Sequence, residues 1–112
     1  MQVSSQSGTF TEEDEKRYKS AWSRPQAMKS MLNWYRANGR NFLQTEYPTR
    51  VSVPTLVLWG ANDQFLESDL AVRSLDYCDE GKGVLLGEGT HWVHLEEPGR
   101  VNEMIGKFID AS

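Results

Sequence analysis

The hydrophobic positions of this 112-residue chain follow two rhythms, one in each half. In the first half the period is helical. Thr11-Glu-Glu-Asp14 places a hydroxyl and then acids where a helix N-terminus favours a cap and negative charge. Tyr18, Ala21 and Trp22 then share one face. Ser23-Arg24-Pro25 interrupts this helix, and Pro25 suits the first position of a second one. Met28, Met31, Leu32 and Tyr35 follow at i, i+3, i+4 and i+7, a continuous apolar stripe, until Asn38-Gly39 supplies residues that stop a helix. From Arg40 to Ser52 there is no regular period, only a connector with the aromatic anchors Phe42 and Tyr47.

In the second half the runs are shorter and richer in β-branched residues. Val53 to Trp59, bounded by Gly60 and Asn62, reads as a strand buried on both faces. Pro54 is confined to its start or edge, because proline has no N–H for a ladder. Glu67 or Ser68 can cap a helix lined by Leu70, Ala71, Ser74 and Leu75, and Gly81 and Gly83 end that region. Gly83-Val-Leu-Leu86 has the length of a second strand. After the loop from Gly87 to Pro98, the residues Val101, Met104, Ile105, Phe108 and Ile109 fall on one face of a helix opened by Pro98. Strand, helix, strand, loop, helix is the alternation of a parallel sheet, so the fold class is α/β: two helices, then a β-α-β-α unit with parallel strands. The predicted divisions are a disordered N-terminus over 1–8, a helical part over 9–40, a connector over 41–52 and the α/β part over 53–112.

Composition removes several function classes. Hydrophobic residues at 38% and charged residues at 25% belong to a globular chain, and no apolar run nears the roughly 20 residues of a membrane helix. The first residues lack the basic and apolar regions of a signal peptide. A net charge of −4 with scattered lysines and arginines argues against a nucleic-acid partner. The single cysteine, Cys78, excludes an internal disulfide and fits a reducing, cytoplasmic setting. Near the end of a predicted helix, it reads as an inert thiol rather than a nucleophile.

Candidate chemistry gathers at the ends of the strands, where ligand and catalytic groups collect in open α/β sheets. Asp63 follows the first strand and His91 the second, each in a glycine-containing turn. A carboxylate that accepts from one imidazole nitrogen fixes the tautomer and leaves the other nitrogen as a general base. Spacing alone keeps the plainer readings open: Asp63 could bond its own turn, and His91 could be a surface or core-rim residue. His91, His94, Glu96 and Glu97 lack the further defined ligands that zinc needs, so no metal and no cofactor is expected, and His94 is taken as a surface residue. Tyr35, preceded by Trp34, is either a core tyrosine with a polar tip or a phenol that donates to a substrate oxygen.

Val53-Pro-Thr-Leu-Val-Leu-Trp-Gly-Ala-Asn-Asp63, Gly89-Thr-His-Trp92, Glu96-Glu-Pro98 and Val101-Asn102 together resemble the C-terminal end of the α/β-hydrolase fold. Phe10-Thr-Glu-Glu-Asp14 and Leu32-Asn-Trp-Tyr-Arg36 look like the last cap helices of epoxide hydrolases, so the resemblance covers roughly residues 9 to 110. It implies a partial α/β-hydrolase fold, with 9–40 a partial cap and 53–112 the C-terminal portion of the core. It also implies roles: Asp63 orients the histidine, His91 activates a water, and Tyr35 is a cap tyrosine that polarises the epoxide oxygen. Trp34 and Trp92 would contact a small lipophilic epoxide. In that family an aspartate nucleophile forms an alkyl-enzyme ester, which the water then hydrolyses to a diol. These residues contain no Gly-x-[Ser/Asp]-x-Gly elbow, so the nucleophile is missing from them. The expectation is a carboxyl-terminal piece, inactive by itself, with an exposed sheet edge that favours self-association. A haloalkane dehalogenase or serine esterase would share Asp63 and His91. A non-enzymatic module that pairs with a full-length relative is the remaining alternative.

Overall fold

In the computed structural model, which describes residues 4–41 and 49–111, the two rhythms separate into two units. One is Phe10–Pro48; the other joins Met1–Thr9 with Thr49–Ser112.

The first unit is helical and locally determined. A capping box starts α1 (Glu12–Trp22): the Thr11 hydroxyl accepts from the Asp14 N–H at 3.2 Å, and the Asp14 carboxylate accepts from the Thr11 N–H at 2.9 Å. Two otherwise unpaired backbone donors are thereby satisfied. Glu13–Arg17 and Glu15–Lys19 pair one turn apart, at 3.2 and 3.4 Å. The Tyr18 ring lies 6.2 Å from Phe10 and 5.6 Å from Trp22. Pro25 is not the first residue of the next helix. It occupies the turn Arg24-Pro25-Gln26-Ala27, closed by the Ala27 N–H on the Arg24 carbonyl at 3.1 Å, with Gln26 at φ 65°. Proline second and a positive φ third are the marks of a type II turn, so α2 (Ala27–Asn41) starts only beyond it. Nor does α2 stop at Asn38-Gly39. Gly39 has no positive φ, and the Asn38 amide donates back to the Trp34 carbonyl at 2.9 Å, so the helix runs through both. Phe42 and Tyr47 lie outside the described residues.

The second unit is built on two parallel strands, β1 (Thr55–Gly60) and β2 (Gly81–Leu86), paired from Thr55↔Gly81 to Gly60↔Leu86. Pro54 stands just outside the ladder, whose first donor is the Thr55 N–H to Glu80. Within this two-stranded sheet Thr55 to Trp59 are half-buried, not covered on both faces, and Val53 is exposed. β2 begins two residues earlier than the hydrophobic run suggests, and it includes the glycines expected to end the preceding region. The reason is close approach. A Cβ on Gly81 would lie 2.9 Å from the Cys78 Cβ, and one on Gly83 2.7 Å from the Leu75 Cδ1, because α3 (Asp69–Leu75) and the turn after it pack onto bare backbone. Ser68 sits at the start of α3, but its hydroxyl makes no cap bond.

Strand alternation turns Leu58 and Leu86 to the opposite face. There Leu86, fully buried, packs with Val93 and with Val101 of α5 (Pro98–Asp110), flanked by Met104. Covering a leucine of this kind contributes about 1.5–3 kcal/mol. One turn of helix, α4 (Val93–Glu96), interrupts the predicted loop before α5. The end of the predicted connector also pairs: Val51 bridges to Cys78, and Arg50 binds Asp79 at 2.6 Å. From Ser4 the amino-terminal stretch, expected to be disordered, finds partners that no local pattern shows. The Ser4 hydroxyl accepts from the Trp92 indole at 3.0 Å, and the Gln6 N–H donates to Glu96 at 2.8 Å.

Candidate active site

The end of β1 and the turn after β2 are joined through backbone. Ala61 N–H donates to the Leu86 carbonyl and Asn62 N–H to the Gly89 carbonyl, each at 2.9 Å. The Asn62 side chain adds a bond to the Gly87 carbonyl at 3.2 Å. Such closeness requires glycine at the crossing. A Cβ on Gly60 would fall within the carbonyls of Gly89 and Thr90, and one on Gly89 would fall on the Val93 side chain. The two turns that carry Asp63 and His91 are therefore held against each other.

Asp63 uses its two oxygens differently. Oδ1 accepts from the Phe65 and Leu66 N–H groups, at 2.8 and 3.1 Å, and closes its own turn. Oδ2 lies 2.9 Å from the His91 Nδ1. Turn chemistry and contact with the histidine, which spacing alone left as alternatives, are both present on one carboxylate. Burial works to raise the Asp63 pKa, but the bonds from His91, Phe65 and Leu66 together hold it below the ordinary carboxylate value. An ionised carboxylate only accepts, so Nδ1 carries the proton and Nε2 is left as the basic atom of the neutral ring. The carboxylate is shielded and the imidazole accessible: the Asp63 side chain is 6% exposed and that of His91 40%. Phe65 meets the imidazole edge-on at 5.1 Å.

Beside the pair opens a cavity of about 560 Å³ whose walls include Leu58, Trp59, Leu66, Val101 and Phe108, with Asp63 and His91 in its lining. An apolar pocket with a few convergent polar groups is the usual form of a small-molecule site. His94 is exposed and also borders it. Trp92 is not among the lining residues; its ring lies 5.7 Å from His91, and its indole N–H is spent on Ser4. Trp34 and Tyr35 belong to the helical unit, where their rings meet edge-on at 5.1 Å and both are exposed.

Two residues that sequence reasoning did not single out as site residues frame the histidine. The Thr90 N–H and hydroxyl both donate to the Glu96 carboxylate, at 2.8 and 2.7 Å. Burial pushes the Glu96 pKa up, yet the bonds from Thr90 and Gln6, and the proximity of His94, leave it below the ordinary value. The available signal was a hydroxyl and a carboxylate on either side of His91, a spacing with no helical or strand period.

A parallel β-α-β unit thus presents a carboxylate after one strand and a histidine after the next. The chain belongs to the α/β-hydrolase family. It is 38% identical over 107 residues to the AB hydrolase superfamily protein YfhM of Bacillus subtilis, a match over 96% of this chain and 37% of that protein. To epoxide hydrolase 1 of Caenorhabditis elegans it is 35% identical, over 90% of this chain and 25% of the relative. Epoxide hydrolase 4 of Homo sapiens is 34% identical, over 89% and 27%. The chain thus spans between a quarter and two fifths of these relatives. Its fold superimposes on an epoxide hydrolase from Bacillus megaterium with a TM-score of 0.77 at 22% identity, covering 92% of this chain and 39% of that one. It also superimposes on the CarC serine hydrolase of carbazole degradation with a TM-score of 0.74 at 20% identity, covering 99% and 45%. No family model matches the sequence.

Proposed function

We propose that this stretch of chain supplies the acid–histidine half of an epoxide-hydrolase active site. The observation that carries the reading is the 2.9 Å bond between Asp63 Oδ2 and His91 Nδ1 beside an apolar cavity. Asp63 fixes the tautomer and stabilises the imidazolium when it forms. His91 takes a proton through Nε2 from a water that attacks an alkyl-enzyme ester, and vicinal diol is released. Tyr35 acts as the phenol that donates to the epoxide oxygen, and Trp34 contributes to binding a small lipophilic epoxide. The ester-forming nucleophile comes from residues other than these 112, among which no elbow motif occurs, and the 112 residues turn over no epoxide by themselves. The similarity to relatives named as epoxide hydrolases favours this substrate class.

The likeness to a serine hydrolase supports a second reading, in which the same acid and histidine serve a serine nucleophile.

The test is a chimaera: an epoxide hydrolase relative in which residues 10–111 replace the matched stretch. It should hydrolyse a chromogenic epoxide, lose about 10²- to 10⁴-fold in rate with His91→Ala, and lose rate with Tyr35→Phe. The unmodified 112-residue chain should show no turnover above background. Full activity in the His91→Ala chimaera, or turnover by the chain alone that His91→Ala abolishes, would sink the reading. If that chimaera leaves epoxides untouched while a second one, built in a serine-hydrolase relative, cleaves esters, the serine-hydrolase reading is selected instead.

A further inference from the structure

We propose that Glu96 is a positioning residue for His91, acting through Thr90. The proposal rests on the reading of Asp63 and His91 as the acid–base pair. His91 is exposed, and its Asp63 bond spans two separate turns, so the direction of its Cα–Cβ bond must come from the peptide frame on either side. Glu96 and Thr90 build that frame. One Glu96 oxygen accepts the Thr90 N–H, and the other accepts the Thr90 hydroxyl and the Gln6 N–H. The same hydroxyl accepts the Trp92 N–H at 3.2 Å, while the Thr90 carbonyl accepts from Val93, also at 3.2 Å. The residues before and after His91 are thus tied to one hydroxyl, and that hydroxyl is tied to one carboxylate.

The arrangement asks for these residue types. The carboxylate must accept three donors on two oxygens, which glutamine with a single acceptor oxygen cannot do. The residue at 90 must donate to Glu96 and accept from Trp92 through one atom, which a hydroxyl does and an apolar side chain does not. Thr90 is buried and Glu96 partly so, which makes each bond costly to leave unmade. Because a general base must meet its proton within hydrogen-bond reach, a small rotation of this frame carries the imidazole off Asp63 and off the water.

The test reads the imidazole directly and needs no substrate. The chain has two histidines, so His94, which is exposed, serves as an internal reference in a two-bond ¹H–¹⁵N spectrum of the full chain, recorded where both rings are neutral. In the native chain His91 should show the Nδ1–H tautomer. Glu96→Gln and Thr90→Val should each shift the His91 ring nitrogens toward the mixed-tautomer position of His94, and Thr90→Ser should restore them. Glu97→Gln removes an equal charge from a carboxylate that binds Arg100, and should leave His91 unmoved. Persistence of the native His91 signature in both Glu96→Gln and Thr90→Val overturns the proposal, as does an equal shift in Glu97→Gln. Should Glu96→Gln fail to fold, the Thr90→Val and Thr90→Ser pair decides alone. A native His91 with no Nδ1–H preference would instead sink the acid–base pair itself, a separate failure.

Discussion

The helical unit and the sheet unit hold their shapes by different means. Among the described residues of the helical unit, Thr11 bonds Asp14, Glu13 bonds Arg17, Glu15 bonds Lys19 and Asn38 bonds Trp34, each pair three or four positions apart. No residue of α1 is buried, and the α2 stripe of Met28, Met31, Leu32 and Tyr35 is exposed. In the sheet unit the deciding bonds join residues far apart in the chain. Asp63 reaches His91, Asn62 reaches Gly87, Arg50 reaches Asp79, and Ser4 and Gln6 reach Trp92 and Glu96. A helix of capping boxes and i,i+4 pairs needs only its neighbours. An acid–histidine pair drawn from two turns exists only when the tertiary structure exists, so the Asp63–His91 pair is tied to the stability of the sheet unit.

The sharpest way to break that dependence is Gly60→Val. The new side chain would be driven into the Gly89 and Thr90 carbonyls, which are backbone and cannot rotate aside. We expect a loss of about 3 kcal/mol or more, at the upper end of overpacking costs. Asp63 and His91 should separate together with the Leu86 core. Urea denaturation followed at the Leu86 methyl groups, with the His91 ring signals recorded in parallel, would check this. A Gly60→Val chain that keeps both would show that the two turns are not held by close approach.

A smaller perturbation is acid. Asp63 and Glu96 are both held below their ordinary values, so each binds fewer protons folded than unfolded. Their stabilising contributions are therefore complete above the unfolded values, about 4, and are lost as pH falls through the lower folded values. Hydrogen bonds to charged groups contribute about 1.5–3 kcal/mol each, so the His91 turn should loosen in this window before the Leu86 core does. The protection of the Phe65, Leu66 and Thr90 amides, taken relative to the intrinsic exchange rate at each pH between 6 and about 3, should fall at the acid end. Protection that instead falls toward pH 6 would reverse the sign and refute the assignment.

How much of this was legible beforehand follows the same division. The α1 cap could be read because its partners lie three residues apart, and the α5 stripe because its period is that of a helix. Glycine was misread where its meaning is tertiary. Gly81 and Gly83 end nothing; they let Leu75 and Cys78 approach, and only the packed neighbour reveals that. Gly39 shows the converse, a helix-stopping residue that keeps helical backbone and is simply passed over. Asp63 and His91 could be nominated from strand ends, but no spacing could assign one oxygen to the turn and the other to the imidazole. Thr90 and Glu96 carried no period at all, and their link became visible only once the turn had folded between them.

The mildest change probes the other side of the comparison. Thr11→Ala deletes the hydroxyl that accepts the Asp14 N–H at the start of α1. Loss of such a cap costs about 1 kcal/mol, roughly a fivefold increase in local opening. Because the Thr11–Asp14 cap is local, the effect should stay local: faster amide exchange over the first turn of α1, with the His91 ring signals and the Leu86 methyl groups unmoved. If those sheet-unit signals move with Thr11→Ala as much as α1 does, the two units do not hold their shapes independently. The division into a locally determined part and a tertiary, chemistry-bearing part would then have to be abandoned.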